Sequence, residues 1–229
     1  VLARRAEHLS DAMDCAPLYD RERRLFSIGY EAERDRLTPG WYDLMASEAR
    51  QTSFISVARG EVSPRHWRRL GRMMLGDNDY SGMASWTGTM FEYFMPHLLL
   101  PAEQNSLLYE SLAFCLYAQK KRVRGTGAPW GISESAFYAF DGAMNYQYKA
   151  HGVQRLGLKR GLDRELVVSP YSTIKRAVGE ELDARGGGTG GRQGTATATL
   201  VLDGTRLGRA IFPYIEGEST RQGVRLTGG

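Results

Sequence analysis

The stretch Gly186-Gly-Gly-Thr-Gly-Gly191 constrains this chain more than any other part of it. A run with almost no side chains has nothing to bury and the most backbone freedom to lose, so a flexible linker is expected there rather than a helix or strand. It divides the 229 residues into a body and a tail. The composition shifts slightly earlier, after Thr173, giving expected units of 1–173 and 174–229. In the tail, Ile174 to Arg185 reads as a compact charged helix. Beyond the linker, Thr195 to Leu202 alternates, and Asp203-Gly204 is a hairpin turn leading into Arg206 to Ile211.

The body carries mostly helical signals. Leu25-Phe-Ser-Ile-Gly-Tyr30 reads as a short strand, closed by the Thr38-Pro39-Gly40 turn. Trp41, Leu44, Met45, Glu48 and Thr52 then share one helical face, with Ile55 continuing it until Gly60. Ser63-Pro64 begins a short basic helix through Met74. Thr87 to Met95 reads as a helix interrupted by Pro96, and Asn105-Ser106 opens the most regular one, with Leu108, Leu112 and Cys115 in register up to Gly125. Glu134 to Lys149 is expected to be a further helix, rich in aromatics. Amphipathic helices joined by long Gly- and aromatic-rich loops predict a mainly α helical barrel or toroid with its loops gathered at one end.

Several function classes are excluded. Apolar residues make up 42% of the chain, but no apolar run approaches the ~20 residues of a bilayer span. The 30 basic and 26 acidic residues are spread along it, with clusters only at Arg21 to Arg24, Arg65 to Arg72 and Lys120 to Arg124. Such mixed faces predict solvated helices and no nucleic-acid partner. The chain starts at Val1 with no apolar leader, which predicts a piece of something longer. Cys15 and Cys115 form no zinc, disulfide or redox pattern, and Cys115 reads as a buried thiol. His8, His66, His97 and His151 lack metal spacing. Asp77-Asn-Asp-Tyr-Ser-Gly82 imitates an EF-hand start, but Gly88 stands where the bidentate Glu is needed. Gly186, Gly188 and Gly191 fit G-x-G-x-x-G without a preceding strand. Neither a metal nor a cofactor is expected.

The chemistry concentrates in Pro129-Trp-Gly-Ile-Ser-Glu-Ser-Ala136, which offers an aromatic plate, a glycine, two hydroxyls including Ser133, and the carboxylate of Glu134. Cleaving a glycosidic bond needs a proton donor at the leaving oxygen and a second carboxylate to activate water or attack the anomeric carbon. Glu134 is the donor candidate, because partial burial at a loop mouth raises a carboxyl pKa toward the range of a general acid. Alternatively, it merely complements a helix dipole. Candidates for the partner are Glu92, a carboxylate among aromatics that is either functional or structurally paired, and Asp141, on the same face if 134–149 is helical. Trp130, Tyr146 and Tyr148 are candidates for stacking on sugar rings, with Gln147, Lys149, Lys159 and Arg160 donating to hydroxyls. Trp41, Trp67 and Trp86 are assigned mainly to the core.

Five segments, in order, resemble the glycoamylase-like domain of cyclic β-1,2-glucan synthases over residues ~20–173. They are Glu22-Arg-Arg-Leu-Phe-Ser-Ile-Gly-Tyr30, Tyr42-Asp-Leu-Met-Ala-Ser-Glu-Ala-Arg50, Ser85-Trp-Thr-Gly-Thr-Met-Phe-Glu-Tyr-Phe-Met-Pro96, Pro129 to Ala136, and Asn145-Tyr-Gln-Tyr-Lys149 through Gly157-Leu-Lys-Arg-Gly161. The resemblance implies a partial (α/α)6 toroid of glycoamylase type, a β-1,2-linked glucan as substrate, and cleavage and rejoining of that glucan into a ring, with Glu134 as acid. It also implies a soluble segment on the cytoplasmic side of a large bacterial inner-membrane protein. The pattern breaks off at Ser169-Pro-Tyr-Ser-Thr173, and the family's later acidic segment is absent. The tail resembles the end of phage tail tape-measure proteins on the Leu202-Asp-Gly-Thr-Arg-Leu-Gly208 hairpin alone. A second reading therefore stands: a non-catalytic, truncated or chimeric protein with a phage-tail-like structural tail.

Overall fold

The computed structural model describes residues 2–169 and Ser172. The tail helix, linker and hairpin expected after Thr173 lie outside the described residues. The body opens with α1 (Leu2–Ala12), which buries none of its residues and is tied down at its end, where Arg59 donates to the carbonyls of Ser10 and Met13 at 2.6 and 3.2 Å. An antiparallel sheet follows, in which β1 (Tyr19–Asp20) and β5 (Trp41–Tyr42) flank β2 (Leu25–Ser27). A small ribbon, β3 (Tyr30–Glu31) with β4 (Arg36–Leu37), stands beside it.

Next come α2 (Arg50–Ala58), α3 (Arg65–Arg69), and a hairpin of β6 (Met74–Asp77) and β7 (Tyr80–Met83). The chain then forms α4 (Met90–Leu99), α5 (Leu107–Val123) and a last ribbon of β8 (Ser135–Ala136) with β9 (Tyr148–Lys149). His66, fully buried, bolts the first part together: one ring nitrogen meets the Arg24 carbonyl at 2.8 Å and the other the Ser53 hydroxyl at 2.9 Å, between the rings of Tyr19 and Phe26.

The core lies between α4, α5 and the β6–β7 hairpin, with Met83, Met90, Phe94, Phe114, Cys115 and Leu156 almost wholly buried. Strand β7 can lie flush on α5 because Gly82 has no Cβ; one there would sit 2.7 Å from the Ser111 Cα. Met83 donates its amide to the Ser111 hydroxyl at 2.9 Å, which fixes the register of that contact. A second crossing is tighter still. Residues 85–88 run beside 153–159, with Ser85 bonded to Leu156 and Leu158, Trp86 to Lys159, and Gly88 to Val153. A Cβ on Gly88, whose φ is +66°, would meet the Val153 carbonyl oxygen at 2.3 Å, so only backbone fits there.

The mainly α, partial (α/α)6 toroid of glycoamylase type is corrected by this architecture. Among the described residues, five helices alternate with nine short strands in four small sheets. The helix expected from Trp41 begins only at Arg50, because Trp41 and Tyr42 pair with Ser27 and Phe26 and Leu44 bridges Gly71. It stops as expected before Gly60, where the Gly60 and Glu61 amides close on the carbonyls of Val57 and Ser56. The basic helix ends at Arg69 rather than Met74. The turn that imitates the start of a calcium loop is a hairpin tip, with Asn78 at φ +53°. Pro96 does not interrupt α4, which runs on to Leu99.

The largest departure is at Glu134 to Lys149, which is not a helix. Its aromatic residues favour extended backbone. Asp141 turns the chain by accepting from the amides of Ala143 and Asn145 at 2.9 and 2.8 Å, and Phe137 donates back to the Gln147 carbonyl at 2.9 Å. The result is a long hairpin arm.

Candidate active site

The strand that carries Glu134 is held from three directions. From α5, the buried Gln119 amide both donates to the Ile132 carbonyl at 2.8 Å and accepts from its N–H at 2.7 Å. From α4, two first-turn amides donate to this strand: Met90 to the Ile132 carbonyl at 3.2 Å and Phe91 to the Ser133 hydroxyl at 3.1 Å. On the third side, Ser133 donates to Val167 and Ser169 to Gly131, around an antiparallel bridge between Ile132 and Val168. Beyond Glu134 the strand pairs with β9 instead. Glu134 thus occupies the peptide where its strand changes partners. Its side chain is half-buried and accepts from the Tyr148 hydroxyl at 3.1 Å.

Glu92 is fully engaged. As the third residue of α4 it forms a reciprocal cap with Thr89, and its carboxylate also accepts from the amides of Trp86 and Thr87 and the hydroxyls of Ser85 and Thr87, at 2.8 to 3.2 Å. A buried carboxylate so fully bonded organises the 85–89 turn. Glu92→Ala would leave the Trp86, Thr87 and Thr89 amides without their acceptor, at a cost of roughly 3 kcal/mol or more. Urea denaturation should show that loss, with Glu92→Gln costing less because one acceptor oxygen remains.

Glu48 was missed in the sequence. It lies in the turn before α2, half-buried, with the Ser47 hydroxyl donating to it at 3.2 Å. Burial pushes its carboxyl above the usual range, and the negative charges of Glu92 and Glu134 push it further, against the lowering effect of its own backbone and Ser47. Three carboxylates from distant segments therefore share one electrostatic neighbourhood. Beside it, Arg50 is buried, donates to the Met45 carbonyl at 3.0 Å, and is lowered by burial to about 10, so it is cationic at neutral pH. The signal for Glu48 was its place on the stripe of Trp41, Leu44 and Met45. A carboxylate on a face otherwise turned inward needs a reason to be there.

The remaining candidates are scattered. Tyr148, 56% exposed, is in direct contact with Glu134, whereas Tyr146 is exposed farther along the arm. Asp141 sits near the tip of the arm, its carboxyl pulled below the usual range by its bonds to Asn145 and Ala143. Trp130 is half-buried against the core, with the Lys120 ammonium 5.5 Å from its ring centroid. Ser133 is wholly buried and its oxygen faces α4. Lys159 and Arg160 have exposed side chains, and the Lys159 amide bonds Trp86. Trp86 itself, assigned to the core, is instead 57% exposed beside the Glu92 network and presents an open aromatic ring. Among the described residues no group of His, Cys, Asp and Glu could hold a metal ion, and no helix is long and apolar enough to cross a membrane.

Comparison with known proteins gives this geometry a context. No family model matches the chain. Over 174 residues, 76% of its length, it is 42% identical to the cyclic β-(1,2)-glucan synthase NdvB of Rhizobium meliloti (strain 1021). The chain carries a domain related to the cyclic β-1,2-glucan synthases. It spans only 6% of that relative's length. The glucan-synthase-related chain thus shares a long stretch of sequence with one part of a much larger protein.

Proposed function

We propose that the chain carries the carboxylate centre of a β-1,2-glucan-processing domain, in which Glu134 protonates the glycosidic oxygen and Glu48 is the second carboxylate. The observation that carries this reading is the meeting of carboxylates from distant segments around Glu48, whose half-buried carboxyl is raised chiefly by burial and further by the charges of Glu92 and Glu134. Cleavage of a glycosidic bond uses two carboxyls, and where neighbouring carboxylates hold one proton between them, that proton serves the leaving oxygen while the other carboxylate acts as base or nucleophile. Glu134 is held on a strand fixed from three sides, with Tyr148 at its carboxyl. The exposed rings of Trp86 and Tyr148 offer apolar faces for pyranose rings.

In this reading the reaction is transfer within one glucan. Glu134 gives its proton to the departing glucan segment, which leaves as the Glu48 carboxylate bonds to the anomeric carbon; a hydroxyl at the other end of the retained chain then displaces Glu48 from that carbon, returns a proton to Glu134 and closes the ring. The substrate is a linear β-1,2-glucan, in keeping with the cyclic β-(1,2)-glucan synthase to which the chain is similar. The test is to incubate the 229-residue chain with linear β-1,2-glucan and resolve the products by mass. Ring products lack the mass of one water relative to linear chains of equal length. An unchanged chain-length distribution from a folded sample would leave the non-catalytic reading in place.

A further inference from the structure

We propose that Glu165 is a positioning residue: through Lys149 it closes the fork in the chain at which Glu134 sits. The inference rests on the reading of Glu134 as the acid. On the N-terminal side of Glu134 the strand is paired to Val167–Ser169, and on the C-terminal side to Tyr148–Lys149. Among the described residues, no backbone ladder ties those two partners to each other. An ion pair does so, because Lys149 Nζ lies 2.5 Å from Glu165 Oε1, and Glu165 is two residues before Val167.

Both ends of the tie are constrained. The Lys149 ammonium also sits 3.7 Å from the centroid of Phe137, on the opposite strand of the same arm, so the cation grips the arm across its width. The other carboxylate oxygen, Glu165 Oε2, is buried and faces His151 Nδ1 at 3.5 Å, an equally buried atom, and among the described residues neither has a hydrogen-bond partner. Lys149, and next to it the charge of His151, hold the Glu165 carboxyl below the usual range, in keeping with an ionised anchor. Lys149 is the neighbour of Tyr148, whose hydroxyl bonds Glu134. Cutting the tie frees the arm to swing about Glu134 and carries the Tyr148 hydroxyl away from the acid. A surface ion pair with no such role would contribute only to stability, by about 0–1 kcal/mol.

The experiment uses the full chain with Glu165→Gln, which keeps shape and removes charge, and with Lys149→Met, which cuts the tie from the other side should the first variant fold poorly. Hydrogen exchange should quicken at least about tenfold at the Phe137 amide, while α5 amides stay at parental rates. Turnover of linear β-1,2-glucan should fall about 10- to 100-fold with KM within about twofold. Tyr148→Phe should add little on top of Glu165→Gln, because both act on the same contact. Parental exchange at Phe137, or losses from Glu165 and Tyr148 that simply multiply, would overturn the proposal. If the parent chain does not turn over the glucan, the proposed function falls; exchange at Phe137 still decides whether Glu165 holds the arm.

Discussion

Glu134→Gln should lower the turnover of linear β-1,2-glucan by about 10²–10⁴-fold, the usual loss when a general acid is deleted, while leaving the melting temperature nearly unchanged. The glutamine keeps the size of the side chain and can still accept from the Tyr148 hydroxyl, which is 3.1 Å from the carboxylate. The strand does not depend on the side chain. Its backbone is fixed by Gln119, Met90 and Val167 through Ile132 and Ser133. A substrate with an activated leaving group, which needs no proton, should recover much of the lost rate. Turnover within about twofold of the parent on the unactivated glucan would remove Glu134 from the chemistry.

Glu48→Gln should abolish turnover to a similar extent and, unlike the change at Glu134, raise the melting temperature at neutral pH. The sign follows from the raised carboxyl. A carboxyl that ionises later in the folded than in the unfolded chain supports folding fully at acid pH, and that contribution is lost as pH rises through the folded value. Replacing it with a neutral amide removes the penalty above that pH and changes little below about 4.5, the ordinary range of a glutamate. Paired thermal melts at pH 4 and pH 7 test this directly. In the unsubstituted chain, the rising limb of the pH–rate profile should lie above the ordinary carboxylate range, because Glu48 must lose its proton to act. A limb at the ordinary position, with no neutral-pH gain in stability for the variant, would place Glu48 outside the site.

What the sequence disclosed depended on how local each cause was. Helix α5 was legible from its Ser106 cap and its spacing, since both signals lie within the segment, and the Ser106 hydroxyl does accept from the Tyr109 amide at 3.2 Å. The 134–149 arm was not legible. Its spacing tolerates a helix, but the arm is settled by the three bonds at Asp141 and by the pairing of Ser135 with Lys149. Glu134 could be picked out because its neighbours are unusual in composition. Glu48 could not, since its distinction is the approach of Glu92 and Glu134, neither of which is near in sequence. Glu92 shows the converse: its surroundings called for either a partner or a function, and the amides and hydroxyls of the turn just before it are its partners.

The ladder between Gly131–Ser133 and Val167–Ser169 also fixes an order of events during synthesis. Glu48 and Glu134 are both made well before Val167 leaves the ribosome, and until it does, the strand beneath Glu134 lacks one of its three supports. A nascent chain halted short of Val167 would hold every proposed catalytic side chain and still have no fixed place for the acid. The last twenty or so described residues add little chemistry of their own, but they let the earlier residues act together.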